Sequence, residues 1–263
     1  MLGALANATR RLGLMTAVTC PTIRYHPAIV AQSAATLGLL SDNRFTLGLG
    51  AGERLNEHIV GARRPGRAER HKRLAEAIEI IQGLLAGTLS NYRGSHFRLD
   101  HARLFDRPDR KPLVAIAADG GAARRPRRRS ADRDRTPCRS GRGLRRRRRP
   151  TLCEVATCYA KHEEDARKIA HKYFRWSLTG WPVVAELVDT EGFAAASKSV
   201  SLEAVAKQLS CGPSVELHLQ TIERYVQAGF DHIIRVQVGP EQQAFIEFFE
   251  RQLAPALGRR KAA

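Results

Sequence analysis

Apolar runs of strand length alternate with helical segments along most of the chain. Five runs are predicted to form strands, at 12–18, 45–49, 112–118, 151–159 and 232–238. The clearest of them are apolar on both faces, which is typical of parallel strands covered by helices. The alternation therefore predicts an α/β fold with parallel strands.

The intervening segments show the periodicity of amphipathic helices. Apolar residues recur every three or four positions in 68–85, and Gly87 is predicted to end that helix. Further helices are predicted at 1–9, 163–174, 182–193, 201–208, 214–228 and 241–257, and a hairpin at 89–99.

One helix is predicted to begin at Tyr25, with Pro27 in its first turn. Asp42-Asn43 is expected to end it, and its apolar stripe is expected to comprise Ile29, Val30, Ser33, Ala34, Leu37 and Leu40.

The chain has 263 residues, of which 43% are hydrophobic. That length suits one α/β barrel or two small domains. An eight-stranded barrel needs eight strand–helix units, so five strands are too few to close one. The missing units are expected before residue 1 and within 120–150.

The net charge of +18 is unevenly distributed. Residues 124–149 contain 14 arginines and no lysine, and only Asp132 and Asp134 are acidic there. This segment contributes +12, which leaves +6 for the rest of the chain.

The five cysteines show neither a CxxC motif nor a paired Cys/His spacing. They indicate neither a disulfide framework nor a metal site. No apolar stretch reaches about 18 residues, and the amino-terminal apolar run is interrupted by Arg10 and Arg11. We therefore expect a soluble cytoplasmic protein with reduced thiols and no membrane partner.

A glycine-rich loop follows the strand at 45–49 and contains Glu53. Its glycines, Gly48, Gly50 and Gly52, permit a sharp turn and the close approach of a flat ligand. The G-x-G-x-G spacing differs from the dinucleotide-binding G-x-G-x-x-G, and Glu53 would repel a phosphate there. A tight turn with an acidic helix start is the alternative interpretation.

Two motifs carry a family resemblance: TAVTCPTIRYHP at 16–27 and LGLGAGERLNE at 47–57. They resemble the luciferase-like oxidoreductases that use the deazaflavin coenzyme F420, above all their glucose-6-phosphate dehydrogenase branch. The resemblance covers most of 10–119 and 151–257. It implies a (β/α)8 barrel, here incomplete because the first two units and a regular sixth unit are missing, with the cofactor at the carboxyl ends of the strands.

The resemblance also implies roles for individual residues. A non-proline cis peptide is expected between Ala17 and Val18, where the family holds the cofactor ring. Glu53 matches the carboxylate that exchanges a proton during hydride transfer. The other positions that match cofactor contacts are Cys20, Ala51, Gly52, Asn56, Asp119 and Gly120.

Several departures from the family pattern bear on the activity. The family's catalytic histidine lies on a unit that precedes this chain, and His26, His58, His71 and His96 match no such position. Gln208 stands where the sugar-phosphate enzymes have an arginine, so glucose 6-phosphate is not the expected substrate. We expect an alcohol or related CH–OH donor, impaired turnover and F420 affinity weaker than micromolar.

The family pattern stops at the arginine-rich segment and resumes near Thr151. A translated reading-frame error in a GC-rich gene explains this best, and an unrecognised insertion is a second explanation. A nucleic-acid-binding arm is a third, since clustered arginines neutralise phosphates. The segment has no stacking aromatic residue, which weighs against that partner.

Two functional alternatives stay open beside the F420-dependent oxidoreductase. The first is an FMN-dependent luciferase-like monooxygenase on the same fold, and the second is an arginine-rich nucleic-acid-binding protein on a relic barrel. A single domain over 1–263, irregular at 122–150, is expected. Its expected partners are a small-molecule substrate and a second copy in a homodimer.

Overall fold

The computed structural model describes residues 1–61, 65–88, 90–117 and 150–262. The arginine-rich segment, Asp119 and Gly120 lie outside the described residues. The chain divides into two compact units: the first comprises Met1–Asp119 and Ala185–Asp189, and the second comprises Gly120–Val184 and Thr190–Ala263.

The helices of the described residues are as follows: α1 (Leu2–Ala8), α2 (Pro27–Leu40), α3 (Arg54–Glu57), α4 (Arg67–Ala86), α5 (Glu163–Phe174), α6 (Trp181–Val184), α7 (Thr190–Ala196), α8 (Leu202–Gln208), α9 (Val215–Gln227), α10 (Gln242–Phe248) and α11 (Ala254–Ala262). A π-helical turn, Phe249–Leu253, joins α10 to α11, and 3₁₀ turns lie at His58–Val60 and Arg175–Thr179. Over the same part of the chain, no helix is both long and apolar enough to cross a membrane.

The strands of the described residues are β1 (Leu14–Met15), β2 (Phe45–Leu49), β3 (Tyr92–Arg93), β4 (Arg98–Leu99), β5 (Leu113–Ile116), β6 (Leu152–Cys158), β7 (Ser210–Cys211) and β8 (His232–Gln237). The order β1–β2–β5 forms a parallel sheet in the first unit, and β7–β6–β8 forms another in the second. The antiparallel pair β3–β4 is the predicted hairpin. The α/β class with parallel strands is thus confirmed.

The first unit buries one apolar cluster between its sheet and helices α2 and α4. Ile80 and Ile81 of α4 are fully buried there. Each such side chain contributes on the order of 1.5–3 kcal/mol by leaving water. Gly87 ends α4 in a left-handed conformation, as predicted.

Helix α2 begins as predicted and buries part of the predicted stripe, Val30 and Ala34. Pro27 is its first residue, and the His26 side chain caps it by accepting the Ala28 N–H. Ile29 and Leu40, predicted to lie in the stripe, are exposed. Apart from Pro27 and Val30, the buried face consists of small residues, which let α4 and the segment around Pro108 approach closely: Ala31, Ala34, Ala35 and Gly38.

The second unit contains a buried polar cluster around His218 of α9. Its Nε2 donates to the carbonyl of Gly212, and its Nδ1 accepts from Arg235 Nη2 at 3.0 Å. The Thr157 hydroxyl lies 3.0 Å from the same Nδ1. Burial, aided by the Arg235 charge, lowers the pKa of His218 to about 4. The imidazole is therefore neutral near pH 7.

Several predicted elements differ from the structure. Strands β1 and β5 are shorter than predicted, and Leu113 and Ile116 of β5 are exposed although a buried strand was expected. The helix predicted at 182–193 is instead two short helices, α6 and α7, separated by 185–189. Strand β7 was not predicted, since two residues carry no periodic signal.

Candidate active site

The segment that follows β1 runs beside the end of β2. The Thr19 N–H donates to the carbonyl of Gly48 at 2.8 Å, and the Gly50 N–H donates back to Thr19 at 3.0 Å. The peptide bond between Ala17 and Val18 is cis, which confirms the expectation from the family resemblance.

Two glycines of the loop are required by this neighbouring segment. A Cβ at Gly48 would lie 1.9 Å from the carbonyl oxygen of Thr16, and one at Gly50 would lie 2.6 Å from Val18 Cγ2. The space that the sequence suggested for a flat ligand at these two positions is therefore filled by the chain itself.

Glu53 and Glu57 bracket the short helix α3. Glu53 is the N-cap residue and is half-buried, whereas Glu57 ends the helix and is only 2% exposed. The backbone N–H of Arg24 donates to Glu57 Oε2 at 3.1 Å. The turn therefore carries two carboxylates in different environments.

A cavity of about 190 Å³ opens beside these groups. The described residues that line it are Val18, Thr19, Cys20, Arg24, Tyr25, Asn56 and Glu57. The structure thus brings three of the predicted cofactor-contacting positions, Val18, Cys20 and Asn56, to one cavity.

The remaining predicted site residues lie next to the cavity lining. Ala17 is exposed in the cis peptide, and Ala51 is half-buried against the first unit's core. Gly52 is buried with φ of +88°, and its carbonyl accepts from Arg70 Nη1 at 2.6 Å. Glu53 is near enough to act on Cys20 but is not among the lining residues just given.

The pKa of the Cys20 thiol depends on the charges around the cavity. Burial raises its pKa to about 11, and the negative charges of Glu57 and then Glu53 add to this increase. A hydrogen bond from the Gly52 backbone and the Arg24 charge act in the opposite direction. The thiol is therefore neutral near pH 7, and both carboxylates act on the space around it.

Arg24, Tyr25 and Glu57 were not predicted as site residues. The guanidinium carbon of Arg24 lies 4.7 Å from the centroid of the Tyr25 ring. Arg24 Nε is buried and finds no hydrogen-bond acceptor among the described residues. These residues belong to the two motifs at 16–27 and 47–57, which the sequence analysis identified. The sequence did not show that the two motifs line the same cavity.

The histidines named in the sequence analysis are not among the residues that line this cavity. His26, His58 and His71 are exposed. His58 Nδ1 is paired with the carbonyl of Arg54 on its own turn. Across the described ranges, no group of three His, Cys, Asp or Glu side chains could hold a metal ion.

A family model described as luciferase-like monooxygenase matches residues 1–133. An F420-dependent glucose-6-phosphate dehydrogenase of Microbacterium testaceum is 32% identical over 281 residues, covering 99% of this chain and 83% of the relative. A second enzyme of that description, from Beutenbergia cavernae, is 32% identical over 99% of this chain and 82% of its own length.

Solved structures share the fold at lower identity. An F420-dependent secondary alcohol dehydrogenase, in complex with an F420-acetone adduct, aligns with a TM-score of 0.80 at 20% identity, over 95% of this chain and 81% of that one. The F420-dependent tetrahydromethanopterin reductase of Methanopyrus kandleri aligns with a TM-score of 0.67 at 18% identity, over 97% of this chain and 86% of the reductase. The chain therefore belongs to the luciferase-like family, on the branch of its F420-dependent oxidoreductases.

Proposed function

We propose that this protein transfers a hydride between a small CH–OH substrate and coenzyme F420, and that Glu53 exchanges the accompanying proton. One observation carries the assignment of the site. Two carboxylates, Glu53 and Glu57, act on a cavity at the carboxyl ends of β1 and β2, the end at which barrel enzymes of this type keep their active sites.

The residues at the cavity fit part of a flat, polar cofactor. Val18 and Tyr25 are 41% and 45% exposed and offer apolar surface to a ring. Arg24 Nε is a buried donor that a ligand acceptor would satisfy. The volume of about 190 Å³ is below the roughly 300–1,000 Å³ of pockets that enclose a whole ligand. We therefore assign this cavity to the ring rather than to the whole molecule.

When bound, F420 would accept the hydride that leaves the substrate carbon. The chain must then handle the proton of the alcohol. Glu53 suits that role because its half-buried carboxylate lies at the start of α3, within electrostatic reach of the cavity. A carboxylate in that position can serve as general acid or base.

The proposed residues that hold the cofactor ring are Ala17, Val18, Cys20, Ala51, Gly52 and Asn56. For the substrate we propose a neutral alcohol rather than a phosphorylated sugar. Gln208, which stands where the sugar-phosphate enzymes have an arginine, is an exposed, uncharged residue at the end of α8. It supplies no cation for a phosphate.

The test is a cofactor titration followed by a single-turnover assay. F420 is titrated into the full chain to several hundred micromolar, and hydride transfer is then followed with isopropanol and, separately, with glucose 6-phosphate. Excess protein makes slow turnover visible. We expect weak binding and transfer from isopropanol only.

Glu53→Gln should slow the transfer by about 100-fold or more and leave the F420 affinity within about threefold. Glu250→Gln, at an exposed position of the π-helical turn, is the matched control and should change neither. The absence of hydride transfer in the unaltered chain, or full transfer in Glu53→Gln, would refute the proposal.

A further inference from the structure

Glu57 is a carboxylate to which the family resemblance assigned no role. It is 2% exposed, and acidic side chains are almost never buried to this degree unless they are paired. The Arg24 N–H donates to its Oε2 at 3.1 Å, across 33 residues of sequence. Glu57 therefore joins the segment after β1 to the helix after β2.

The same side chain also packs against the glycine loop. A Cβ at Gly52 would lie 3.2 Å from both Glu57 Cγ and Glu57 Oε1, so the loop rests closely on this carboxylate. Arg70 of α4 holds the other side of the loop through the Gly52 carbonyl, at 2.6 Å. Glu57 therefore contacts both backbone segments that border the cavity, at Arg24 and at Gly52.

Glu57 also lines the cavity, so its charge faces the space where a ligand would lie. Among the described residues, the titratable and charged groups of the cavity and of the segments that border it come from three places. These are Cys20, Arg24 and Tyr25 after β1, Glu53 at the start of α3, and Arg70 and Arg73 on α4. Among the charges that act on the Cys20 thiol, that of Glu57 has the largest effect.

We propose that Glu57 is a positioning residue of the site, which anchors the Arg24 backbone and sets a negative potential in the cavity. The proposal rests on the function proposed above. Its consequence for the reaction is that a second carboxylate faces the cavity beside which Glu53 is proposed to exchange the proton.

Two substitutions of Glu57 distinguish its hydrogen bond to the Arg24 backbone from the effect of its negative charge. Glu57→Gln keeps an amide oxygen that can accept the Arg24 N–H but removes the negative charge. Glu57→Ala removes both and leaves a buried donor without its acceptor. Glu250→Gln serves again as the exposed control.

The first measurement needs neither cofactor nor turnover. The rate of iodoacetamide alkylation of Cys20 is followed by peptide mass spectrometry between pH 7 and pH 11. Loss of the Glu57 charge should lower the pKa of the thiol and so raise its alkylation rate at pH 8 by about threefold or more. Cys153, whose pKa is raised by burial alone, is the internal control and should not change.

The second measurement is the pH profile of single-turnover hydride transfer. Its acidic limb should move to lower pH in Glu57→Gln, because a negative charge that faces the cavity is gone. The F420 dissociation constant should rise about tenfold in Glu57→Ala and less than threefold in Glu57→Gln.

An unchanged Cys20 profile in Glu57→Gln would overturn the proposal, since a merely structural carboxylate would not move it. Equal F420 affinity in the two variants would overturn the anchoring role. If Glu57→Ala does not fold, the Glu57→Gln profile alone decides. If Cys20 responds as expected but no variant transfers hydride, the proposed function fails while the electrostatic role of Glu57 stands.

Discussion

The two units of the chain bury polar groups in opposite ways. In the first unit, the buried carboxylate of Glu57 lines a cavity, and Arg70 supports the loop beside it. In the second unit, Thr157, Ser210 and His218 are buried on the sheet and on α9, where they contact one another. Polar groups that face a cavity keep the capacity to bind a ligand, whereas those that satisfy each other build structure.

Arg235 is the exception within the second unit. Its Nη2 donates to Ser210 Oγ at 2.6 Å and to His218, but Nε and Nη1 are buried without an acceptor in the described parts of the chain. Burial lowers the pKa of this arginine to about 10. The second unit therefore contains a buried cation that its surroundings satisfy only in part.

The largest effect is expected from Gly48→Ala in the first unit. The added methyl group would meet the backbone oxygen of Thr16 at 1.9 Å, which no side-chain rotation can relieve. We expect a loss of more than about 3 kcal/mol of stability. Hydrogen exchange of the β2 amides, measured by mass spectrometry, should show it.

Gly13→Ala is the matched control, because nothing lies within 4 Å of the Cβ it would add. Unchanged protection of β2 in Gly48→Ala would mean that the segment after β1 does not constrain the glycine loop. The structural basis of the site would then be wrong.

The next largest effect is the loss of stability at low pH that His218 of the second unit is expected to cause. The pKa of His218 is about 4 in the folded protein, against about 6.5 for an unfolded histidine. Between these values the unfolded state binds the extra proton, so stability falls as the pH is lowered from about 6.5 to 4, by up to about 3 kcal/mol. Urea unfolding at a series of pH values, followed by the fluorescence of Trp176 and Trp181 in this unit, measures it.

His218→Gln separates this effect from the titration of carboxylates. The variant should be less stable at pH 7 but should lose less stability on acidification than the unaltered chain. Parallel pH dependences in the two proteins would show that His218 does not carry a buried neutral imidazole.

The smallest effect is expected from Arg235→Met, and its sign is opposite. Removal of a partly satisfied buried cation should raise stability by about 1 kcal/mol, because methionine fills similar space without a desolvation cost. The midpoint of urea unfolding checks this, with the exposed Arg224→Met as control. A destabilised Arg235→Met would mean that the arginine is paired after all, and the contrast between the two units would weaken.

Much of the fold could be predicted from local patterns. Helix α5 was predicted with the observed bounds, and β2 likewise, because both have strong periodicity and clear ends. The ends of β1 and β5 could not be predicted, since pairing with neighbouring strands decides where a ladder stops. The split between α6 and α7 was missed for a related reason: the Ala185 carbonyl accepts the Arg54 N–H from a distant part of the chain.

The site was predicted in part. The glycine loop, Cys20, Asn56 and the cis bond at Ala17–Val18 follow from motifs that are continuous in sequence. Arg24 and Glu57 meet across 33 residues, and neither motif alone indicates that contact. The catalytic role of Glu53 stays a prediction for the single-turnover assay.

The sequence by itself determined the α/β class, most helices and the family, because these depend on periodicity, capping residues and contiguous motifs. Only the tertiary structure decided that Glu57 is buried and faces the cavity, and that Gly48 and Gly50 serve the neighbouring segment rather than a ligand. The physical reason is that burial and close approach are properties of pairs of segments, which a single stretch of sequence does not contain.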